Sequence, residues 1–196
     1  YPDAPSYFQT MVVRQRDLTP ATDPSERTDA PFDGTLTATV PSGRAAQFLD
    51  FIREDLIPFI DARYPTIPGD RIYAGHSLGG LFGYYAMFRR PDTFTRYIIG
   101  SPTLYWGDDA VFRLEREYAA LHKNLEARVF MGVGGLEDGP KNPMLRNVRR
   151  LESVLRERAY PGLTLTTQVF ADETHLSVWS TNLLRGLVSV LGRPPA

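Results

Sequence analysis

The sequence predicts an α/β fold with a mostly parallel sheet that helices cover on both faces. Two observations carry this prediction: short apolar runs of strand length alternate with longer runs of helical periodicity, and Gly or Pro separates the runs. Four such strand–helix units follow one another, which is typical of parallel strands. The chain has 196 residues, of which 42% are hydrophobic and 23% charged. We therefore interpret residues 1–196 as a single domain with one sizeable core.

The N-terminal part of the chain has a different composition from the rest. Residues 1–42 are rich in Pro, Asp, Thr and Ser and show little periodicity, so we predict a loop-rich excursion in which Met11–Val13 is a candidate strand fragment. From residue 43 onward, apolar residues recur at helical spacing and predict a helix. Pro58 should kink or split that helix, because proline lacks the N–H that the helix interior needs.

The four strand–helix units place the candidate chemistry at one edge of the sheet. In a parallel sheet, ligands bind beyond the carboxyl ends of the strands. We therefore expect functional residues directly after Gly75, Gly100, Val133 and Phe170. The third helix should begin at Asn142-Pro143, a capping Asn followed by a Pro at the first helical position. The predicted strands are 71–75, 97–100, 128–133 and 163–170, and the other predicted helices are 78–90, 109–123 and 176–191.

The first of these four positions carries the motif Gly-x-Ser-x-Gly around Ser77. Between a strand and a helix this motif is typical of a nucleophile elbow, where side chains at Gly75 and Gly79 would collide with the neighbouring strand and helix. The N–H of Leu78 begins the next helix and is a candidate oxyanion-hole donor. We interpret His76 as a packing residue that faces away from the site. The alternative is a glycine-rich turn with an incidental Ser.

The other strand ends supply a candidate base and a candidate acid. His175 follows the fourth strand, at the same edge as Ser77, and we expect it within hydrogen-bonding reach of that hydroxyl as general base. Glu137 and Asp138 follow the third strand. Adjacent carboxylates point in different directions, so only one can orient the imidazole, and we favour Glu137. Asp172 and Glu173, beside the His, remain open as alternatives.

Two further groups of residues are candidates for substrate binding. Tyr105 and Trp106 follow the second strand, where aromatic residues line a substrate wall or pack into the core. Arg14 and Arg16 form a charged cluster with Asp17. A surface salt bridge is the ordinary interpretation of that cluster. A contact from Arg14 or Arg16 to a carboxylate or phenolate of the substrate is the alternative.

Composition argues against several classes of protein. The formal net charge is -1 and no apolar run reaches the roughly 18 residues of a membrane helix, so we expect no nucleic-acid or membrane partner. The chain has no cysteine, and its three histidines lack metal-ligand spacing. We therefore expect no metal and no cofactor, and a small-molecule ester as partner. A cytoplasmic, a periplasmic and a secreted location all stay open, as does the oligomeric state.

Several segments together resemble the esterase D-like family of α/β hydrolases, close to its enterobactin-type siderophore esterases. The resemblance implies a cofactor-free α/β-hydrolase fold that cleaves carboxylic esters, including siderophore-type esters, with Ser77 as nucleophile and His175 as base. Glu137 is an approximate match for the family's acid. The segments that match are Arg16–Pro20, Leu56–Ile60, Gly75–Phe82, Arg90–Asp92 with Phe94, Ser101-Pro102 with Tyr105-Trp106, and Thr174-His175.

The resemblance also implies a longer protein. In this fold the strand before the nucleophile is the fifth, and Tyr1-Pro2 resembles the end of the fourth. We therefore expect roughly 70 to 100 further N-terminal residues, which would include the second oxyanion donor. Two other functions remain open on the sequence: an acyltransferase of the same fold, as in the related mycolyltransferases, and a non-catalytic binding module.

Overall fold

The structure is a computed structural model that describes residues 7–22, 42–140 and 143–192. Within these residues the four strands form one parallel sheet in the order β1-β2-β3-β4. The strands are β1 (Ile72–His76), β2 (Arg96–Gly100), β3 (Ala127–Gly134) and β4 (Leu163–Phe170). The α-helices along the described residues are α1 (Tyr7–Leu18), α2 (Ala45–Phe51), α3 (Ile57–Asp61), α4 (Leu78–Arg89), α5 (Trp106–Leu121), α6 (Met144–Arg158) and α7 (Val178–Leu191).

The two faces of the sheet are covered unequally. Successive side chains of a strand point to opposite faces, so every second residue joins the same layer. One face carries the larger core, in which α4 is buried on most sides through residues such as Leu81, Phe82 and Tyr84. The other face carries a smaller cluster, which Ile98 and Phe130 of the sheet form with residues of α7. Helices thus lie on both faces, as predicted.

The prediction of a loop-rich N-terminal excursion is wrong for residues 7–18, which form α1. Met11–Val13 are accordingly helical and not a strand fragment. The helix has only weak amphipathic periodicity, so tertiary contacts stabilise it more than its own pattern does. Leu18 is buried in the core, and Thr19 ties the helix end to the following segment by accepting a hydrogen bond from the Gly43 N–H at 2.7 Å.

The helix predicted around Pro58 is split, as expected. A π-helical turn over Ile52–Leu56 separates α2 from α3. Because Pro58 has no N–H to donate one turn back, the regular hydrogen-bond ladder cannot continue through this point.

Several element boundaries differ from the predicted ones. Helix α5 begins at Trp106, three residues early, and passes through a kink at residues 107–109 with positive φ angles. Helix α6 begins at Met144, where Pro143 has non-helical angles and serves as the N-cap, so it is not the first helical residue. The predicted capping residue Asn142 lies outside the described residues.

Candidate active site

Ser77 occupies a strained turn between β1 and α4. Its backbone has φ 59° and ψ -120°, a conformation that residues other than glycine rarely adopt. The Ser77 N–H donates to the Gly100 carbonyl of the neighbouring strand at 2.9 Å, which holds the turn against the sheet. This geometry presents the hydroxyl at the carboxyl edge of the sheet, where the motif predicts it.

The two outer glycines of the motif differ: the expected collision is found at Gly75 and not at Gly79. A Cβ at Gly75 would lie 2.5 Å from the Gly79 carbonyl oxygen, so only glycine fits there. The predicted collision at Gly79 is wrong, since a Cβ there would meet nothing closer than the Tyr73 hydroxyl at 3.7 Å. Gly79 instead contributes its carbonyl, which accepts a hydrogen bond from that hydroxyl at 2.6 Å.

Glu137 is the carboxylate that meets His175. Its Oε2 lies 2.6 Å from His175 Nδ1, and its side chain is 3% exposed. Asp138 turns the other way and pairs with Arg146 at 3.0 Å, with a more exposed side chain. Among the described residues, neither the Asp172 nor the Glu173 side chain forms a hydrogen bond or an ion pair with His175, whose Nδ1 is paired with Glu137. The arrangement can therefore fix one imidazole tautomer, with the proton on Nδ1.

Two donors hold the second oxygen of Glu137. The Ser101 hydroxyl donates to Oε1 at 2.6 Å and the Gly134 N–H donates to the same atom at 2.7 Å. Burial alone would raise the pKa of Glu137, but the hydrogen bonds from His175, Ser101 and Gly134 outweigh it and hold the pKa below its usual range. Glu137 is thus ionised at neutral pH and prepared to stabilise a positive charge on His175.

His76 lies directly against His175 on the α7 side of the sheet. Its Nε2 is 2.9 Å from the His175 carbonyl oxygen, and the two rings lie 4.5 Å apart. Trp179 of α7 packs on the same His76 ring at 5.3 Å. Burial lowers the pKa of His76 to about 4, with His175 and, more weakly, Arg14 acting in the same direction. His76 is therefore neutral at pH 7 and donates its Nε2 proton to that carbonyl.

Ser77 and His175 line one cavity but make no hydrogen bond to each other. The Ser77 Oγ lies 3.4 Å from Thr103 Oγ1, so the expected direct contact with the imidazole is not present. Such contacts are often long without substrate and tighten when it binds. The cavity has a volume of about 440 Å³, and its lining residues are Ser77, Tyr105, Leu136, Glu137, Asp138, Gly139, Met144 and His175.

The Leu78 N–H lies at the start of α4, next to the Ser77 hydroxyl. It belongs to the first turn of the helix, whose N–H groups have no carbonyl four residues back to bond. Within the described part of the chain, no hydrogen bond from this N–H is found. The group can therefore donate to an oxygen that develops negative charge beside Ser77.

The other predicted binding residues differ in whether they line the cavity. Tyr105 lines the cavity, whereas the expectation of Trp106 in the substrate wall is wrong. Trp106 is 3% exposed, and its indole Nε1 donates to the Ala21 carbonyl at 2.9 Å, so the ring serves packing. Arg16 pairs with Asp17 at 2.6 Å, the ordinary surface arrangement. Arg14 is half-buried in α1, near enough to act on the pKa of His76.

Sequence reasoning missed two polar residues that follow β2. Ser101 is fully buried with φ 37° and bonds Glu137, and Thr103 contacts the Ser77 hydroxyl. Their position just after a strand end was the signal that could have pointed to them, since the other three strand ends bear Ser77, Glu137 and His175.

Neither a metal cluster nor a membrane-spanning helix occurs among the described residues. Among residues 7–22, 42–140 and 143–192, no group of three or more His, Cys, Asp or Glu side chains could hold a metal ion. Across the same residues, no helix is both long and apolar enough to cross a membrane.

The fold and the site together define the class. A parallel sheet covered by helices on both faces, with a Ser on a strained strand–helix turn and a Glu–His pair at the same edge, is the α/β-hydrolase arrangement. Similar solved structures bear this out. The BES protein from Bacillus cereus matches with a TM-score of 0.76 at 30% identity, over 91% of this chain and 65% of that one. Siderophore hydrolase EstA from Aspergillus nidulans matches with a TM-score of 0.77 at 26% identity, over 93% of this chain and 67% of that one.

The chain belongs to the putative esterase family, whose model matches residues 17–187. The ferri-bacillibactin esterase BesA of Bacillus subtilis is 32% identical over 177 residues, or 89% of this chain and 60% of the relative. The siderophore enterobactin esterase of Emericella nidulans is 32% identical over 145 residues, or 71% of this chain and 46% of the relative. The resemblance to siderophore esterases that the sequence suggests is confirmed. The chain thus spans about three-fifths or less of the length of these curated relatives.

Proposed function

We propose that this protein hydrolyses carboxylic esters through an acyl-enzyme intermediate on Ser77. The observation that carries the proposal is the 2.6 Å hydrogen bond between His175 and the buried Glu137, in a cavity that Ser77 also lines. A His whose tautomer is fixed by a carboxylate, facing a cavity with a Ser on a strained turn, is the arrangement that activates a hydroxyl.

The proposed reaction has two steps. Ser77 Oγ attacks the ester carbonyl carbon while His175 Nε2 accepts its proton, and Glu137 stabilises the imidazolium that forms. His175 then gives the proton to the departing alcohol, which leaves an acyl group on Ser77. Water, deprotonated by His175, then attacks the acyl carbon; the bond to Ser77 Oγ breaks, His175 returns the proton to Oγ, and the acid leaves. Ser77 must first turn from Thr103 towards His175, a rotation about one side-chain bond between staggered positions.

The Leu78 N–H is the proposed first oxyanion donor. It has no competing acceptor within the described residues and lies at the positive end of α4. Removing a comparable donor in other serine hydrolases lowers kcat about 100- to 1,000-fold, so this group accounts for a substantial part of the barrier reduction.

Siderophore-type esters are the substrate class that we propose. The names of two relatives at 32% identity specify a ferri-bacillibactin esterase and an enterobactin esterase. Tyr105 offers an aromatic wall for an aryl group of such a substrate. The charge of Arg14 reaches far enough to lower the pKa of His76, and a positive charge at that range favours an anionic ligand such as a phenolate.

The test is turnover of p-nitrophenyl butyrate and of a catecholate trilactone by the wild type, Ser77→Ala and the control Ser153→Ala. Ser153 is a useful control because it lies on α6 and bonds only an exposed glutamate, Glu157. We expect Ser77→Ala to lose at least about 10⁴-fold in kcat with an unchanged circular dichroism spectrum, and Ser153→Ala to behave as wild type. Undiminished turnover by Ser77→Ala would contradict the proposal. Added alcohol acceptor that becomes acylated in preference to water would indicate an acyltransferase instead.

A further inference from the structure

A histidine and two glycines form a row across the sheet beneath the candidate site, on the face covered by α7. His76, Gly100 and Gly132 are direct neighbours in register on β1, β2 and β3. A Cβ at Gly132 would lie 1.8 Å from Asn182 Oδ1, and a Cβ at Gly100 would lie 2.9 Å from Asn182 Nδ2. The two glycines therefore leave the space that the amide of Asn182, from α7, fills.

Asn182 and His76 both have buried side-chain polar atoms without a hydrogen-bond partner in this space. Asn182 is 0% exposed, and neither of its side-chain polar atoms has a hydrogen-bond partner among the described residues. The Nδ1 atom of His76 is also buried without a partner. Buried polar groups in folded proteins are nearly always paired with protein or water, so three unpaired atoms in one place call for an explanation.

The tautomer of His76 decides which kind of partner its Nδ1 atom needs. The His175 carbonyl can only accept, so His76 Nε2 must carry the proton of the neutral ring. Nδ1 is then a lone pair that requires a donor. Asn182 Nδ2 lies 2.9 Å and His76 Nδ1 3.0 Å from the position that a Cβ on Gly100 would take, and the two atoms do not bond each other. A single water between them can donate to Nδ1 and accept from the amide.

We propose that Asn182 is a positioning residue, whose amide N–H reaches His76 Nδ1 through one bridging water, so that His76 holds the His175 backbone. This inference rests on the proposed function, since it assigns His175 the part of the base. Glu137 then fixes the imidazole ring of His175, and Asn182 with His76 fixes its main chain from the other face of the sheet.

Losing Asn182 leaves His76 held at one nitrogen only. Without a donor at Nδ1, that lone pair is buried and unpaired, and the ring can turn away from the His175 carbonyl. The loop that carries His175 then loses its anchor, while cavity residues on other loops, such as Tyr105, keep their positions. A displacement of about 1 Å at a reacting group can lower a rate about 100-fold, so kcat should suffer and KM should not.

The charges that face His76 belong to three other parts of the molecule. His175 lies on the loop after β4, Glu137 on the loop after β3, and Arg14 on α1. From α7 the groups that approach it are the uncharged Trp179 and Asn182. A new charge placed at position 182 would therefore act on His76 from a side that has none.

The experiment compares Asn182→Leu, Asn182→Asp and the matched control Thr95→Val in the full-length protein. Thr95 also has a buried hydroxyl without a partner, but it precedes β2 at the opposite end of the strand from Gly100. Ester turnover gives kcat and KM, and ¹⁵N-edited NMR reports the protonation of the His76 ring. We expect Asn182→Leu to lower kcat about 10- to 100-fold with KM within about twofold, and to move the Nδ1 signal downfield to that of a free lone pair. Thr95→Val should change neither.

Asn182→Asp tests the proposal without relying on turnover or on the leucine variant folding. A carboxylate at position 182 accepts where the amide donated, so His76 should carry protons on both nitrogens at pH 6. If His76 stays neutral in Asn182→Asp, or if Asn182→Leu leaves the Nδ1 signal unchanged whatever it does to kcat, the positioning role is overturned. If the wild type hydrolyses no ester while both NMR changes occur, the hydrogen bond stands and the proposed function fails instead.

Discussion

Among the residues that the structure describes, two glutamates are buried, and their surroundings differ in one informative respect. The side chain of Glu137, at the carboxyl edge of the sheet, is 3% exposed and accepts from His175, Ser101 and Gly134. Glu115, on α5, is 1% exposed and accepts from the Arg158 guanidinium at 2.7 Å and 3.2 Å and from the Tyr160 hydroxyl at 3.3 Å. Both carboxylates are satisfied, and each borders a cavity.

The side chain that a buried carboxylate bonds decides what that carboxylate can do. Arg158 keeps its charge over the whole pH range of protein chemistry, so its pair with Glu115 can only join α5 to the end of α6. An imidazole can accept a proton and release it again, so the carboxylate opposite His175 can alternate between orienting a neutral ring and stabilising a charged one. Only the second kind of pair can take part in proton transfer.

The largest expected effect is that of Glu137→Gln on activity. Ser101 and Gly134 both donate to Oε1, so the glutamine must place its carbonyl there and its NH₂ group against His175 Nδ1. The imidazole is then forced into the tautomer whose Nε2 already carries a proton and cannot accept one from Ser77. We expect kcat to fall about 10³- to 10⁴-fold with KM little changed, measured on p-nitrophenyl butyrate. A loss of less than tenfold would mean that Glu137 does not orient the base.

Glu115→Gln should produce the opposite pattern. The change removes a charge-assisted hydrogen bond, but the Arg158 side chain is 40% exposed and can be rehydrated. We expect the free energy of unfolding to fall by about 1–3 kcal/mol, measured by urea denaturation. Because Glu115 is remote from the Ser77 cavity, kcat should stay within about twofold of wild type. An equal loss of activity in both glutamine variants would erase the distinction between the two pairs.

Ser101→Ala should give a smaller effect of the same kind as Glu137→Gln. It removes one of the two donors to Oε1 and leaves the Gly134 N–H in place. Glu137 is then less firmly held, and we expect kcat to fall about tenfold, by comparison with other hydrogen bonds to charged groups. The pKa of Glu137 should rise towards its usual value. Acid denaturation curves should show this rise, and curves identical to wild type would contradict it.

The last expected effect, confined to acid pH, is a pH dependence of stability that arises from His76. Its pKa is about 4 in the folded protein against 6.5 for the free side chain, because burial disfavours the charged ring. The unfolded chain therefore binds this proton first, and stability falls as the pH drops from 6.5 to about 4. The urea midpoint measured across this range should decline less steeply in His76→Gln. Equal slopes would show that His76 is not held neutral.

Much of the candidate site could be predicted because its side chains follow strand ends. Ser77, Glu137 and His175 follow three of the four predicted strand ends. The carboxyl ends of parallel strands lie at one edge of the sheet, so these residues come together whatever conformation the loops adopt. The choice of Glu137 over Asp138 as the residue that meets His175 was predicted, although sequence alone could not exclude its neighbour.

What could not be predicted depends on contacts between distant segments. Trp106 is buried because its indole finds the Ala21 carbonyl, 85 positions away, and no local pattern reveals that bond. Helix α1 was missed because its apolar stripe is weak and its stability comes from packing. The position of Asn182 on a helix does not reveal that its amide fills the space above Gly100 and Gly132, because that contact joins distant segments.

The central claim is that Ser77 is a nucleophile activated through His175 by Glu137 and not by any other buried carboxylate. The most direct measurement is the rate at which a fluorophosphonate probe labels the protein, with the modified residue located by mass spectrometry of the peptides. We predict a single adduct on Ser77 that forms at least about 100-fold more slowly in Glu137→Gln and at the wild-type rate in Glu115→Gln. Absence of an adduct on Ser77, or equal labelling rates in the wild type and Glu137→Gln, would contradict the account.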